Sequence, residues 1–304
     1  MGADDWQEES LIELEPSPVD DPVDLEKDGY FPSESSPSPP QPVARSTTLG
    51  LHGHSAVYYL SRIQRYSSYA FGVFLSFHIA NTSLLPLASR SISASDDYLL
   101  LTRPYYQSPL VEPVVVILPL LAHIGSGVAL RVYRRRQLAK RYGADTRADR
   151  RKLAYPKLSG TSILGFALVP MLAGHALLTR VLPLWVDGDS SGIGLSFVSH
   201  GFAKHRAISF TAFSLLIATA SWHIVWGSAK WLNLSPSQVT EGGADAALQR
   251  KRRWYAVNFV SVAVAGLWMA GGLGVIGTAG EIRGWVGRHY DELYRQIPFF
   301  GRWA

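Results

Sequence analysis

Five long apolar stretches, at 66–88, 110–132, 159–184, 207–232 and 254–279, leave this chain few ways to fold. Each holds roughly twenty or more residues, the length needed to cross ~30 Å of hydrocarbon. A backbone in lipid must satisfy its own hydrogen bonds, so the expected class is an all-α membrane protein with five transmembrane helices. Prolines at 86, 113, 119, 170 and 183 fall inside these stretches, where they kink membrane helices without excluding them. The fifth stretch is rich in glycine (Gly266, Gly271, Gly272, Gly274, Gly277), which suits close helix contact. With no cysteine in the chain, a disulfide framework and a thiolate metal site are both excluded.

Loop charge sets the expected orientation. The segment from Arg131 to Lys157 is crowded with Arg and Lys, and the loop before the fifth stretch ends Arg250-Lys251-Arg252-Arg253. With five spans both loops lie on the side of the N-terminus, whereas the opposite loops carry acids such as Asp96, Asp97, Asp187 and Asp189. The positive side is the cytosolic one, so the N-terminus is expected there. The basic loops also suit anionic lipid headgroups. Residues 281–304 place Ile282, Trp285, His289, Leu293 and Ile297 at helical spacing, the pattern of an interfacial amphipathic helix on the far side.

Four histidines, His78, His123, His175 and His223, sit near the centres of four of these stretches. An ionisable side chain at that depth is costly and by default a functional hypothesis. They form a repeat. His78 and His175 are each followed, after seven residues, by Pro-Leu, while His123 and His223 each open a His-Ile-x-x-Gly motif. The bundle therefore reads as two copies of a two-helix unit. Alternating span direction puts His78 with His175 nearer the far side and His123 with His223 nearer the basic side, at levels several ångströms apart. Three roles remain open for them: interhelical hydrogen bonds, a proton relay, or metal ligation. No Asp or Glu lies mid-span, which argues against a carboxylate relay and a mixed-ligand zinc site. Paired neutral imidazoles on separate helices suit axial ligation of haem b iron, with the pairs His78/His175 and His123/His223 as ligands.

Residues 1–50 are acidic and Pro/Ser-rich, a composition that cannot bury enough apolar surface to order itself, so a disordered tail is expected. It lacks the apolar core of a secretory signal and the Arg-rich character of a mitochondrial presequence. Within it, Leu11-Ile12-Glu13-Leu14-Glu15-Pro16-Ser17-Pro18-Val19 alternates apolar and acidic residues and ends in Pro-x-Pro. Such a segment can add to a sheet edge as an extended peptide, or be an incidental apolar run in a linker.

Two resemblances follow from these residues. Ser61-Arg62-Ile63-Gln64-Arg65-Tyr66-Ser67-Ser68 resembles the Ser-x-x-His-Arg-x-Ser-Gly stretch of the membrane cytochrome b subunits of succinate dehydrogenase and fumarate reductase, with Gln64 in place of the His and Ser68 in place of the Gly. That resemblance implies the same histidine pairing. The whole arrangement also resembles the fungal mitochondrial outer-membrane adaptor family that suppresses loss of the ERMES tether. It implies a cytosolic N-terminus, a C-terminus in the intermembrane space, and a Pro-x-Pro peptide that docks on the vacuolar-protein-sorting-thirteen bridge-like lipid-transfer protein. Here Pro16 and Pro18 would be the motif, with Leu11, Ile12 and Leu14 as apolar anchors.

The expected function is thus a non-enzymatic adaptor at a membrane contact site, serving lipid homeostasis and contacting membrane lipids but no nucleic acid. The tail (1–50) is bait, the bundle (51–280) is anchor, and 281–304 is an interfacial helix. A haem b redox protein and a lipid scramblase are the alternatives.

Overall fold

The structure, a computed structural model, describes residues 55–297. The peptide Leu11–Val19 lies outside the described residues. Helix is the one regular structure among them, and five helices are long and apolar enough to cross a membrane: Ala56–Ser89, Pro113–Arg141, Gly160–Asp187, Arg206–Gln238 and Ala244–Ile276. The last turns of the fourth are irregular, its α-helix proper being Arg206–Trp231. The chain is a multi-pass membrane protein. Large apolar side chains face outward along the spans, Phe259 and Val73 among them, as they must where the solvent is lipid. The first span begins ten residues before the apolar stretch does, because the polar turn from Ala56 to Arg65 continues the same helix.

Proline shapes the two spans that carry His78 and His175. Pro86 has no N–H to give to the carbonyl of Thr82, and the chain widens into a π turn at Ala80–Leu84, closed by Leu85 N–H on Ala80 O. Pro183 does the same at Leu177–Val181, closed by Leu182 N–H on Leu177 O. In each copy a threonine inside the π turn reaches back to the histidine's own carbonyl: Thr82 Oγ1 donates to His78 O at 2.6 Å, and Thr179 Oγ1 to His175 O at 2.8 Å. The repeat is therefore His-x-x-x-Thr-x-x-x-Pro-Leu in both halves.

The fifth span closes the bundle against the first. Ser83 Oγ donates to Leu267 O and Trp268 O at 3.1 and 3.0 Å. Gly271 lies where a Cβ would run into the backbone of Ser83, so only glycine permits the approach. Ile217, Ala220 and Trp268 form the buried seam between the fourth and fifth spans.

On the side away from the basic loops, short helices cover the bundle. Ile92–Thr102 is N-capped by Ser91, whose side chain accepts from Ala94 N–H. Asp96 then accepts from Leu195 N–H at 2.7 Å, holding the start of the helix Leu195–Lys204. The C-terminal helix Gly284–Arg295 buries Tyr290, Leu293 and Tyr294 against Ile193 and Phe197, while Trp285 stays exposed. Its amphipathic face thus packs largely on protein. His289 pairs with Asp187 at 3.0 Å.

Candidate functional site: two facing histidine pairs

All four histidines line one cavity of about 800 Å³ that runs between the spans. That volume is within the ~300–1,000 Å³ of typical ligand and cofactor sites. Its walls are mostly apolar, with Phe74, Leu120 and Leu172 among them. The structure pairs the histidines as the repeat does. The His123 and His223 ring centres are 6.1 Å apart with planes at 84°. Those of His78 and His175 are 5.8 Å apart at 73°.

Each pair joins helices from different halves of the repeat, but the two are held differently. Nδ1 of His123 lies 3.1 Å from the carbonyl of Gln64, and Nδ1 of His223 lies 3.0 Å from that of Thr161. A carbonyl can only accept, so Nδ1 carries the proton and Nε2 keeps its lone pair. Gly165 makes room for this: a Cβ there would stand 2.8 Å from Cε1 of His223. At the other level Nδ1 of His175 is buried and meets no hydrogen-bond partner among the described residues. Aromatic contacts hold those rings instead, Phe74 beside His78 and Phe213 beside His175.

The two levels lie along the same helices. Gln64 precedes His78, and Thr161 precedes His175, by fourteen residues of α-helix in each case, so the carbonyls that hold His123 and His223 stand on the basic side of the His78/His175 level. Both levels open on the same cavity.

Does this donor set fit a haem? Among the described residues no three His, Asp or Glu side chains converge as metal ligands. Each level offers two imidazoles and nothing more, which suits a metal whose remaining positions are filled by a flat macrocycle. The ring separations also agree: two metal–nitrogen bonds of ~2 Å and two nitrogen-to-centre distances of ~1.1 Å sum to about 6 Å. A buried Nδ1–H on a backbone carbonyl is the usual second contact of a ligating histidine. The residues fit, and fit better at the His123/His223 level.

Two groups lining the cavity went unremarked in the sequence. Arg180 lies inside the third apolar stretch, and an intramembrane arginine is itself a signal. It meets Glu112, which accepts from Nε at 2.8 Å and pairs with a terminal nitrogen. Arg103, between the first two spans, lines the same cavity.

Comparison with known proteins gives one likeness. No curated protein and no solved structure matches the chain. A family model described as MDM10-complementing protein 1, transmembrane domain, matches residues 170–281. That interval takes in most of the third span and all of the fourth and fifth, and so one histidine of each pair, His175 and His223. Over residues 170–281, then, this five-span protein is similar to the transmembrane domain of MDM10-complementing protein 1, as fits a mitochondrial membrane protein of that type.

Proposed function

We propose that the chain is an adaptor of the mitochondrial outer membrane, whose bundle anchors a cytosolic peptide that recruits a bridge-like lipid-transfer protein to membrane contact sites. The observation that carries this is the match of residues 170–281 to the transmembrane domain of MDM10-complementing protein 1, joined in the same chain to Leu11–Val19. In this reading Ile12 and Leu14 enter alternate pockets of a sheet-edge groove and Pro16 and Pro18 hold the peptide extended. A tether of about forty residues keeps the peptide near the membrane at high effective concentration. Replacing both prolines (Pro16→Ala with Pro18→Ala) should abolish recruitment of the partner while the bundle still inserts, read by co-purification and by partner localisation. Undiminished partner binding by the double variant sinks the proposal.

A second reading concerns the bundle and is favoured by the facing rings. The pairs His123/His223 and His78/His175 would hold haem b, and the bound group would supply a one-electron couple. The chain's own part is to present two imidazoles at each level, orient those of His123 and His223 through Gln64 and Thr161, and surround them with apolar walls. An absorption spectrum of the purified protein tests it, since bis-histidine haem gives a Soret band that His123→Ala or His223→Ala should diminish. Lack of the band in the wild type removes this reading and leaves the adaptor proposal untouched.

A further inference from the structure

Beyond the His78/His175 level the cavity ends against charge. Arg103 and Arg180 both line it there. Arg180 stands five residues beyond His175, inside the π turn Leu177–Val181. The extra residue in that turn brings Arg180 back toward the face that carries the histidine. Its charge is answered by both oxygens of Glu112, and a further nitrogen donates to Ser190 Oγ.

Arg103 is placed differently. Its terminal nitrogens donate to three backbone carbonyls, Ser190 at 3.2 Å, Ser191 at 3.0 Å, and Ile193. Its Nε is buried and meets no partner among the described residues. Carbonyls supply dipoles but no countercharge. Among the described residues no carboxylate lies within ion-pair distance of Arg103. Asp96, the acid that faces it, spends one oxygen on Leu195 N–H at 2.7 Å and the other on Ser196 Oγ at 3.1 Å. Burial lowers the pKa of Arg103 and the charge of Arg180 adds to that, against the pull of Tyr106, Asp96 and Tyr290. A half-buried guanidinium with carbonyls on one side and an apolar cavity on the other selects an anion on an apolar body.

We propose that Arg103, backed by Arg180, anchors the acidic group of an amphipathic ligand whose apolar body fills this cavity. The assignment rests on the haem reading, in which that group is a propionate of the macrocycle held by His78 and His175. The carboxylate or phosphate of a lipid shares the same chemistry, and the test separates the two sources.

Full-length protein carrying His223→Ala, which leaves the His78/His175 pair intact, is titrated in detergent with haem b and with haem b dimethyl ester. The ester keeps the iron and ring but has no free carboxylate. The expected result is a bis-histidine band with both, and affinity for the ester lower by ~10- to 100-fold, the worth of one or two charge-assisted hydrogen bonds. Adding Arg103→Gln should make the two affinities equal, and Arg103→Lys should restore part of the preference. Equal binding of haem and ester with Arg103 present overturns the anchor and leaves the histidine reading standing. No bis-histidine band with either compound, here or in the wild type, overturns both. Micelles of phosphatidic acid that displace haem from the Arg103 protein, but not from the Arg103→Gln protein, reassign the anchor to a lipid headgroup and overturn the propionate.

Discussion

The two histidine pairs have the same sequence pattern and opposite surroundings. Toward the basic side, His123 and His223 are fixed by backbone: each Nδ1 meets a carbonyl on the other helix of its own two-helix unit, and Gly165 admits the ring of His223. Toward the other side, His78 and His175 are fixed by shape, between Phe74 and Phe213, with the Nδ1 of His175 unsatisfied and two arginines beyond. A tautomer set by the backbone is committed before any ligand arrives, whereas a ring held by packing can still turn. The first pair is therefore a preorganised donor site. The second is the adjustable one, and its ligand must bring something for Arg103.

The sharpest way to break this contrast is to crowd the preorganised pair. Gly165→Ala sets a methyl group 2.8 Å from Cε1 of His223, so the imidazole must leave Thr161 or the helices must part. Overpacking of this kind costs ~1–3 kcal/mol. The same change at Gly174, in the same helix, meets nothing within 4 Å and should be neutral or stabilising by up to ~1 kcal/mol from helix propensity. Thermal melts of the two variants in detergent, run side by side, make the comparison. Equal melting temperatures would mean that His223 is not held where Gly165 admits it.

Replacing single histidines by leucine in ligand-free protein should give a smaller and opposite pair of effects. His123→Leu loses the bond to Gln64 O, worth ~0.6–1 kcal/mol for an interhelical hydrogen bond in a membrane. His175→Leu removes a buried nitrogen that meets no partner among the described residues, and should leave stability unchanged or raised by ~1 kcal/mol. Denaturation in mixed micelles checks the sign. A His175→Leu protein less stable than His123→Leu would reverse the assignment of which pair is preorganised.

What the sequence could and could not convey follows the same division. The five spans are legible because hydrocarbon thickness imposes a length, and the pairing is legible because the repeat aligns His78 with His175 and His123 with His223. The carbonyls of Gln64 and Thr161 are not, since a backbone acceptor leaves no residue signature. Gln64 drew notice only as a departure from a cytochrome b motif, while its main-chain oxygen does the holding. The threonines at 82 and 179 were readable at His plus four in both halves, the spacing at which a hydroxyl reaches back to a helical carbonyl. Arg180 carried its own signal as a charge inside an apolar stretch, but its partner Glu112 is 68 residues away and no local pattern joins them.

The adjustable end is covered by a helix held partly through charge, and acid should show it. Leu195, Val198 and Phe202, from the helix Leu195–Lys204, line the cavity. That helix is tied to the C-terminal segment by polar contacts: Lys204 to Glu281 at 2.8 Å and to Asp291 at 3.6 Å, and His200 Nε2 to Asp291 at 2.9 Å, while Ile282 N–H donates to His200 Nδ1 at 3.2 Å. The hydrogen bond from Lys204 holds Glu281 below its ordinary 4.5. Burial pushes Asp291 up, but the hydrogen bond from His200 and the charges of Lys204 and Arg295 outweigh it and hold it below 3.8. A carboxylate whose folded pKa is depressed gives its stabilisation in full above the ordinary carboxylate range, and that stabilisation is lost as pH falls through the lowered value. The helix Gly284–Arg295 should therefore loosen below pH ~4, while Gly160–Ala176, held by no carboxylate, should not. Hydrogen exchange across that range, corrected for the intrinsic rate, reads both helices in one experiment. The exchange of 284–295 should rise by a few-fold, the smallest of the effects argued here, because aromatic packing around Phe197, Tyr290 and Tyr294 persists when the carboxylates are neutral. Parallel behaviour of the two helices would show that charge contributes nothing to closing that end of the cavity.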